Sequence, residues 1–339
     1  MIWLAWRQFR SQAATAFAAL TVLGIVLAAT RPGLADDYDS GIAACTARGD
    51  CTPFTERFFE DHIPWFLSLG ALLLLLPALI GLFWGAPLIS RELEAGTHRL
   101  VWNQSITRTR WLAVKLGLVG LAAVTTTGLG SLLVTWWSDP IDRTARSFPR
   151  LGSVLFDVRG VVPIGYAALA FVLGVTVGML VRRPLPAMAL TLTVFAAVQI
   201  AMPLLVRPHL LPSKQVTTPI TPSNLESLMF RGTEERAWVT VKLPDRGAWI
   251  LSSTTLDASG NPVDSMRISP NTGPCAVSEG PGPSPACIAE MGRLGYRQQV
   301  TYQPSSRFWT FQWFETGIYL TAALGLTGLC FWWIRRRLS

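Results

Sequence analysis

The sequence predicts an all-α membrane protein: six transmembrane helices, cytoplasmic termini, and a small external β-containing domain between the fifth and sixth spans. Three observations predict it. Only 15% of the 339 residues are charged while half are apolar, and a soluble domain carries about 25% charged residues, so a globule of this size would lack the charge to cover itself. Six stretches approach or exceed the roughly 20 apolar residues that cross a hydrocarbon core of about 30 Å. The basic residues gather on one side of those stretches. Disorder is excluded by the 14 Trp and 16 Phe.

The first stretch, 13–30, holds no charge between Arg10 and Arg31. Gly33-Leu34-Ala35 would serve as a signal-peptidase site, but the apolar run before it is longer than an ordinary h-region, so a retained span is expected. The second, 63–88, contains the run Leu72 to Leu76, and the third covers 112–137. The fourth and fifth, 161–181 and 187–206, are separated only by Arg182-Arg183-Pro184-Leu185-Pro186, too short for a domain. The sixth covers 310–334. Gly81 to Gly85 and Gly174 to Gly178 have the small-residue spacing that lets helices approach closely, for which packing within one chain is the simplest use.

Charge fixes the expected orientation. The termini and the connections on the N-terminal side carry twelve Arg and Lys against Glu92 and Glu94 alone. The other side is nearly balanced, and Glu315 falls inside the sixth span. By the positive-inside rule both termini are cytoplasmic. The net charge of +8 is thereby used up as a topology signal, and no nucleic acid is needed to explain it. On the opposite side lie an acidic segment, 31–62, a short one, 138–160, and a long one, 207–309, of domain size. The long segment alternates apolar and polar residues at Ala237-Trp238-Val239-Thr240-Val241 and Gln299-Val300-Thr301-Tyr302, the period of strands. Its middle, 257–286, is rich in Pro, Gly, Ser and Asn and reads as a loop.

Cys45 and Cys51 share the first external segment, Cys275 and Cys287 the largest. Two local disulfides in an oxidising compartment are the expectation, with pairing between the segments as the alternative. Neither pair has the spacing of a zinc site. The lysines Lys115, Lys214 and Lys242 follow Val114, Ser213 and Val241, so no phosphate-cradling Gly-Lys pair exists. The histidines stand apart, and no Gly-x-Ser-x-Gly elbow occurs. The chain has no catalytic constellation.

The longest cytoplasmic connection, 89–111, begins helically, breaks at Gly96 and restarts with Leu100, Val101 and Trp102. Arg91-Glu92-Leu93-Glu94-Ala95-Gly96-Thr97, followed by Ser105-Ile106-Thr107-Arg108-Thr109-Arg110-Trp111 and Lys115, resembles the loop after the second span in ATP-binding-cassette transporter permeases of the bacterial type-2 exporter class. The start, Trp3 to Arg10, looks like that family's amphipathic elbow helix, here 1–12. Its apolar Ile2, Trp6 and Phe9 recur at helical spacing, as an interfacial helix requires. Residues Ser305 to Glu315 resemble the approach to the sixth span in one branch of the family. The large external segment departs from members that have only short re-entrant helices there.

The resemblance implies a permease subunit in the bacterial plasma membrane, paired with a second permease (a copy of itself in preference to a different chain) and docked on a separate ATPase that holds ATP and Mg2+. This chain would bind no cofactor. Glu92, Glu94, Gly96, Thr97, Arg99, Arg108 and Arg110 would form the ATPase-coupling contact. Cargo would be amphipathic or hydrophobic, such as a drug, antibiotic, peptide or lipid. Polar groups in spans are costly, so Gln199, Gln312 and Glu315, with Trp309, are candidates for the substrate path. Two other classes remain open: a six-span thiol oxidoreductase, which the lack of a Cys-x-x-Cys pair disfavours, and a membrane sensor, which lacks a cytoplasmic output domain.

Overall fold

The computed structural model of the chain describes residues 2–96, 107–144, 151–230, 236–245, 247–269, 271–276 and 283–337. Its helices are α1 (Ile2–Thr46), α2 (Thr52–Ile80), α3 (Ala86–Glu94), α4 (Arg108–Thr144), α5 (Ser153–Phe156), α6 (Val162–Val181), α7 (Pro184–Ala201), α8 (Pro285–Arg293) and α9 (Phe308–Arg336). Six helical runs among the described residues are long and apolar enough to cross a membrane: Ala5–Thr46, Thr52–Glu94, Arg108–Thr144, Val162–Val181, Pro184–His209 and Ser305–Arg336. The chain divides into two compact units, a helical one and one built on strands.

In the helical unit, α6 is the most enclosed element, with Tyr166, Ala167, Ala170, Phe171 and Val175 all buried. The two glycine pairs explain how it is enclosed. The chain between α2 and α3 widens into a single π-helical stretch, Gly81–Gly85, and this stretch lies directly on α6. A Cβ at Gly81 would meet the Ala170 carbonyl oxygen at 2.6 Å, and one at Gly85 would meet that of Phe171 at 2.5 Å. Gly174 and Gly178 face the carbonyl oxygens of Gly81 and Ala86 in return. Bare backbone against bare backbone gives dispersion contact in a setting where lipid supplies no hydrophobic drive between helices. The small-residue spacing is thus spent within the chain.

Several boundaries differ from expectation. Residues 2–12 are not a separate elbow: α1 runs unbroken from Ile2 to Thr46. Nothing before Gly24 in this stretch is a helix breaker. The acidic 31–62 segment is not a loop either. It is a helical hairpin whose connection is only 47–51, because Leu34, Phe58 and Phe59, with half-buried Tyr38 and Phe54, form an apolar stripe joined to Leu27 and Phe66. Asp36, Asp37, Asp39, Glu56 and Glu60 all remain exposed on the outer faces. A Cys45–Cys51 disulfide closes the hairpin.

The strand unit holds Leu211–Phe308 together with Leu151, so its position differs from the expected 207–309: Arg207 and Trp309 belong to the helical unit. Strands β1 (Lys214–Pro219), β7 (Arg297–Gln303), β4 (Trp249–Leu256) and β5 (Pro262–Val263) form one antiparallel sheet in that order. Strands β2 (Leu225–Phe230), β3 (Arg236–Val241) and β6 (Met266–Arg267) form another. The alternation expected for 237–241 is present: Ala237, Val239 and Val241 are buried and Trp238 is exposed. The 257–286 loop contains β5 and β6, and it runs into α8, a helix not anticipated. Ser284 caps α8 by accepting from the Cys287 backbone N–H at 3.1 Å, and a Cys275–Cys287 disulfide ties its first turn to the preceding chain. Both local disulfides expected from the sequence are therefore formed, and Cys330 is free and buried.

Candidate functional site

Two charged centres stand at opposite ends of α4. The first gathers five side chains from four places. Asp157 lies in the turn after α5, Tyr166 on α6, Arg207 at the end of the Pro184–His209 run, and Gln312 and Glu315 on α9. Arg207 and Glu315 have no solvent exposure at all. The Arg207 guanidinium grips Glu315 with two parallel bonds, Nε to Oε2 at 2.8 Å and Nη2 to Oε1 at 2.9 Å, the fork geometry that suits Arg and not Lys. The second Nη2 hydrogen goes to Asp157 Oδ1. The guanidinium also lies over the Phe156 ring, 4.1 Å from its centre. The Tyr166 hydroxyl is 2.8 Å from Asp157 Oδ1 and 2.9 Å from Glu315 Oε1, and its ring meets that of Tyr319 edge-on at 4.7 Å. Burial, the largest influence, pushes the Asp157 carboxyl up to about 6; the Arg207 charge opposes that shift and the Glu315 charge adds to it.

The turn carrying Asp157 is held by Gln312. Its Oε1 accepts from the backbone N–H groups of Val161 and Val162 at 3.0 and 2.9 Å, and its Nε2 donates to the Phe156 carbonyl at 3.0 Å. The two accepted N–H groups are among the orphan donors at the start of α6. Gly160 adopts φ of +67°, and a Cβ there would meet Gln312 Oε1 at 2.7 Å, so only glycine fits. Beside this turn, Arg159 pairs with Asp142 on α4 at 3.3 Å and lies over the Phe66 ring.

At the other end of α4, buried Lys115 pairs with Glu92 on α3, and Glu92 also accepts from Gln8 on α1 at 3.1 Å. One carboxylate thus ties three helices. A cavity of about 280 Å³ opens beside the pair, lined by Gln8, Phe9, Gln12, Trp84, Arg91 and Lys115 among others. Glu94 and Arg110 are exposed, and Arg108 is half-buried. Gly96 ends α3 with φ of +69°, the left-handed residue that commonly follows a helix. Thr97 and Arg99 lie outside the described residues.

Of the substrate-path candidates, Gln312 and Glu315 meet in the first centre, and both are fully engaged there. Trp309 is exposed. Gln199 is separate: both polar atoms of its amide are buried with no hydrogen-bond partner among the described residues. Sequence reasoning missed Asp157, Tyr166 and Arg207. Arg207 looked like the first residue of an external segment because it follows an apolar run and precedes Pro208. The available signal was the acid-base pair Asp157 and Arg159 inside an otherwise apolar stretch, 151–166.

A family model described as ABC-2 membrane transporter related matches residues 17–207, from the first span to the arginine of the buried centre. No curated protein and no solved structure matches the chain. The model covers more than half of the chain and runs along five of its six membrane-length helices, and the chain belongs to the ABC-2 membrane transporter related family.

Proposed function

We propose that this multi-pass permease is the membrane subunit of an ATP-driven exporter, with the ATPase on a separate chain and amphipathic or hydrophobic cargo. The family match over residues 17–207, on six membrane-length helices, carries the reading. The end of α4 that bears Lys115 faces the cytoplasm on the charge distribution, and the 89–111 connection there seats in the ATPase. Closure of the ATPase on ATP does work on the permease only through contacts that differ between the two states. The Glu92 tie supports such a coupling, because a push on the end of α3 reaches α1 and α4 through one carboxylate. From α3 the push passes to α6 through the glycine crossing. Glu94, Arg108 and Arg110, with Thr97 and Arg99, form the docking contact, whereas Glu92 acts by holding the helices that carry it. Gln199 is the polar group we assign to the substrate path. The permease works as a pair, with a second copy of itself.

The test is co-purification of the tagged permease with a P-loop ATPase, followed by ATP hydrolysis in reconstituted vesicles. The expected result is a stable complex whose hydrolysis is stimulated by an amphipathic compound. A permease that binds no such ATPase when the two are co-expressed overturns the reading.

A further inference from the structure

The Tyr166 hydroxyl carries one proton, yet two carboxylate oxygens lie within hydrogen-bond distance of it, Asp157 Oδ1 at 2.8 Å and Glu315 Oε1 at 2.9 Å. Were both acids ionised, one of those contacts would press two acceptors together with no proton between them, in a place closed to water. The neighbours do not repair this. Arg207 already spends Nη2 on the same two oxygens and Nε on Glu315 Oε2, while its Nη1 has no hydrogen-bond partner. Arg159 is paired with Asp142. The Gln312 amide is committed to Val161, Val162 and Phe156, and the Tyr319 hydroxyl makes no hydrogen bond among the described residues. The charge balance points the same way: one guanidinium faces two carboxylates, and a buried net charge is expensive.

We propose that Asp157, Tyr166 and Glu315 form a proton-binding site, in which Asp157 Oδ1 holds a proton and donates it to the Tyr166 oxygen while the Tyr166 hydroxyl donates to Glu315 Oε1. Asp157 is the holder because Glu315 has the bidentate grip of Arg207 and Asp157 has a single bond from it. Loss of the proton leaves a buried net negative charge where the Asp157 turn, α6 and α9 meet, and it loosens that tie. The raised Asp157 carboxyl agrees with this assignment. The sign follows from linkage: between the ordinary carboxylate value and about 6 the folded chain binds a proton that the unfolded chain does not, so stability is greatest below that range and falls as pH rises through about 6.

The full chain, purified in detergent, is melted at intervals from about pH 5 to about pH 8, as wild type and as Asp157→Asn, the neutral isostere of the protonated acid. Wild type is expected to melt lower on the alkaline side, and Asp157→Asn to flatten that slope and melt above wild type at the alkaline end. A wild type with no slope, or an Asp157→Asn that melts lower by the same amount at every pH, overturns the proposal. A pH-difference infrared spectrum of the wild type needs no variant. The expected result is a protonated-carboxyl band that disappears with a midpoint near 6 and shifts in Tyr166→Phe; no such band, or one indifferent to Tyr166→Phe, overturns it.

Discussion

The two ends of α4 use the same chemistry to opposite ends. Lys115 and Asp142 are separated by about 40 Å of helix at 1.5 Å per residue, and each sits in an ion pair. At the Lys115 end a single pair binds three helices beside a cavity, and exposed Glu94 and Arg110 stand close by in the sequence. At the Asp142 end the charges multiply and close in on one another, until Arg207 and Glu315 have lost all exposure. One end offers charge outward. The other consumes it internally, so each member there depends on the rest.

That contrast can be broken by mutation. The largest effect belongs to Arg207→Met, which strands Glu315 beside Asp157 without a cation. Removal of one partner from a buried pair costs about 3–5 kcal/mol, so the variant should fail to yield folded protein, or melt far below wild type, in a detergent thermal-shift measurement. Arg207→Lys keeps the charge, loses the fork and should fall between. Next comes the crossing that links the two ends. Gly174→Ala puts a methyl group against the Gly81 carbonyl and the Ala86 amide, and overpacking of this kind costs about 1–3 kcal/mol. The variant should melt lower, and its ATPase stimulation should drop even where the complex still forms.

Lys115→Met should cost less, about 1–2 kcal/mol. Glu92 retains some solvent access and the Gln8 bond, so the carboxylate left behind is not stranded as Glu315 would be. A loss as large as that of Arg207→Met would erase the distinction between the two ends. The smallest stability effect is that of Glu94→Gln, an exposed change expected to stay within about 0.5 kcal/mol. Its readout is ATPase co-purification, which should weaken; undiminished binding would remove Glu94 from the docking contact.

Hydropathy made the six spans legible because charge-free runs such as 13–30 and 161–181 mark where lipid excludes charge. It could not mark where helices stop. α1 and α2 continue through an acidic segment on the strength of an apolar stripe, Leu34 to Phe58, that binds helix to helix. Glu315 stood out as a lone acid in a span, but its partner lies 108 residues away in the chain, at a position where an arginine borders a loop and excites no suspicion. The residues proposed here for ATPase docking stand out in the sequence as a motif, yet the engagement of Glu92 with Lys115 and Gln8 does not, since it depends on three helices converging. In the strand unit, period-two alternation found β3 and β7, whereas α8 is short, follows a run of Pro, Gly and Ser, and is fixed by a cap and a disulfide.

Gln312 has a consequence for how the bundle is made. It satisfies backbone donors at the start of α6 from a point 150 residues further along the chain. A ribosome delivers α6 to the membrane well before α9 exists, so during that interval the amides of Val161 and Val162 have no Gln312 to receive them. A helix synthesised long after α6 is the one that completes it, and a chain truncated before α9 would leave the head of α6 unfinished.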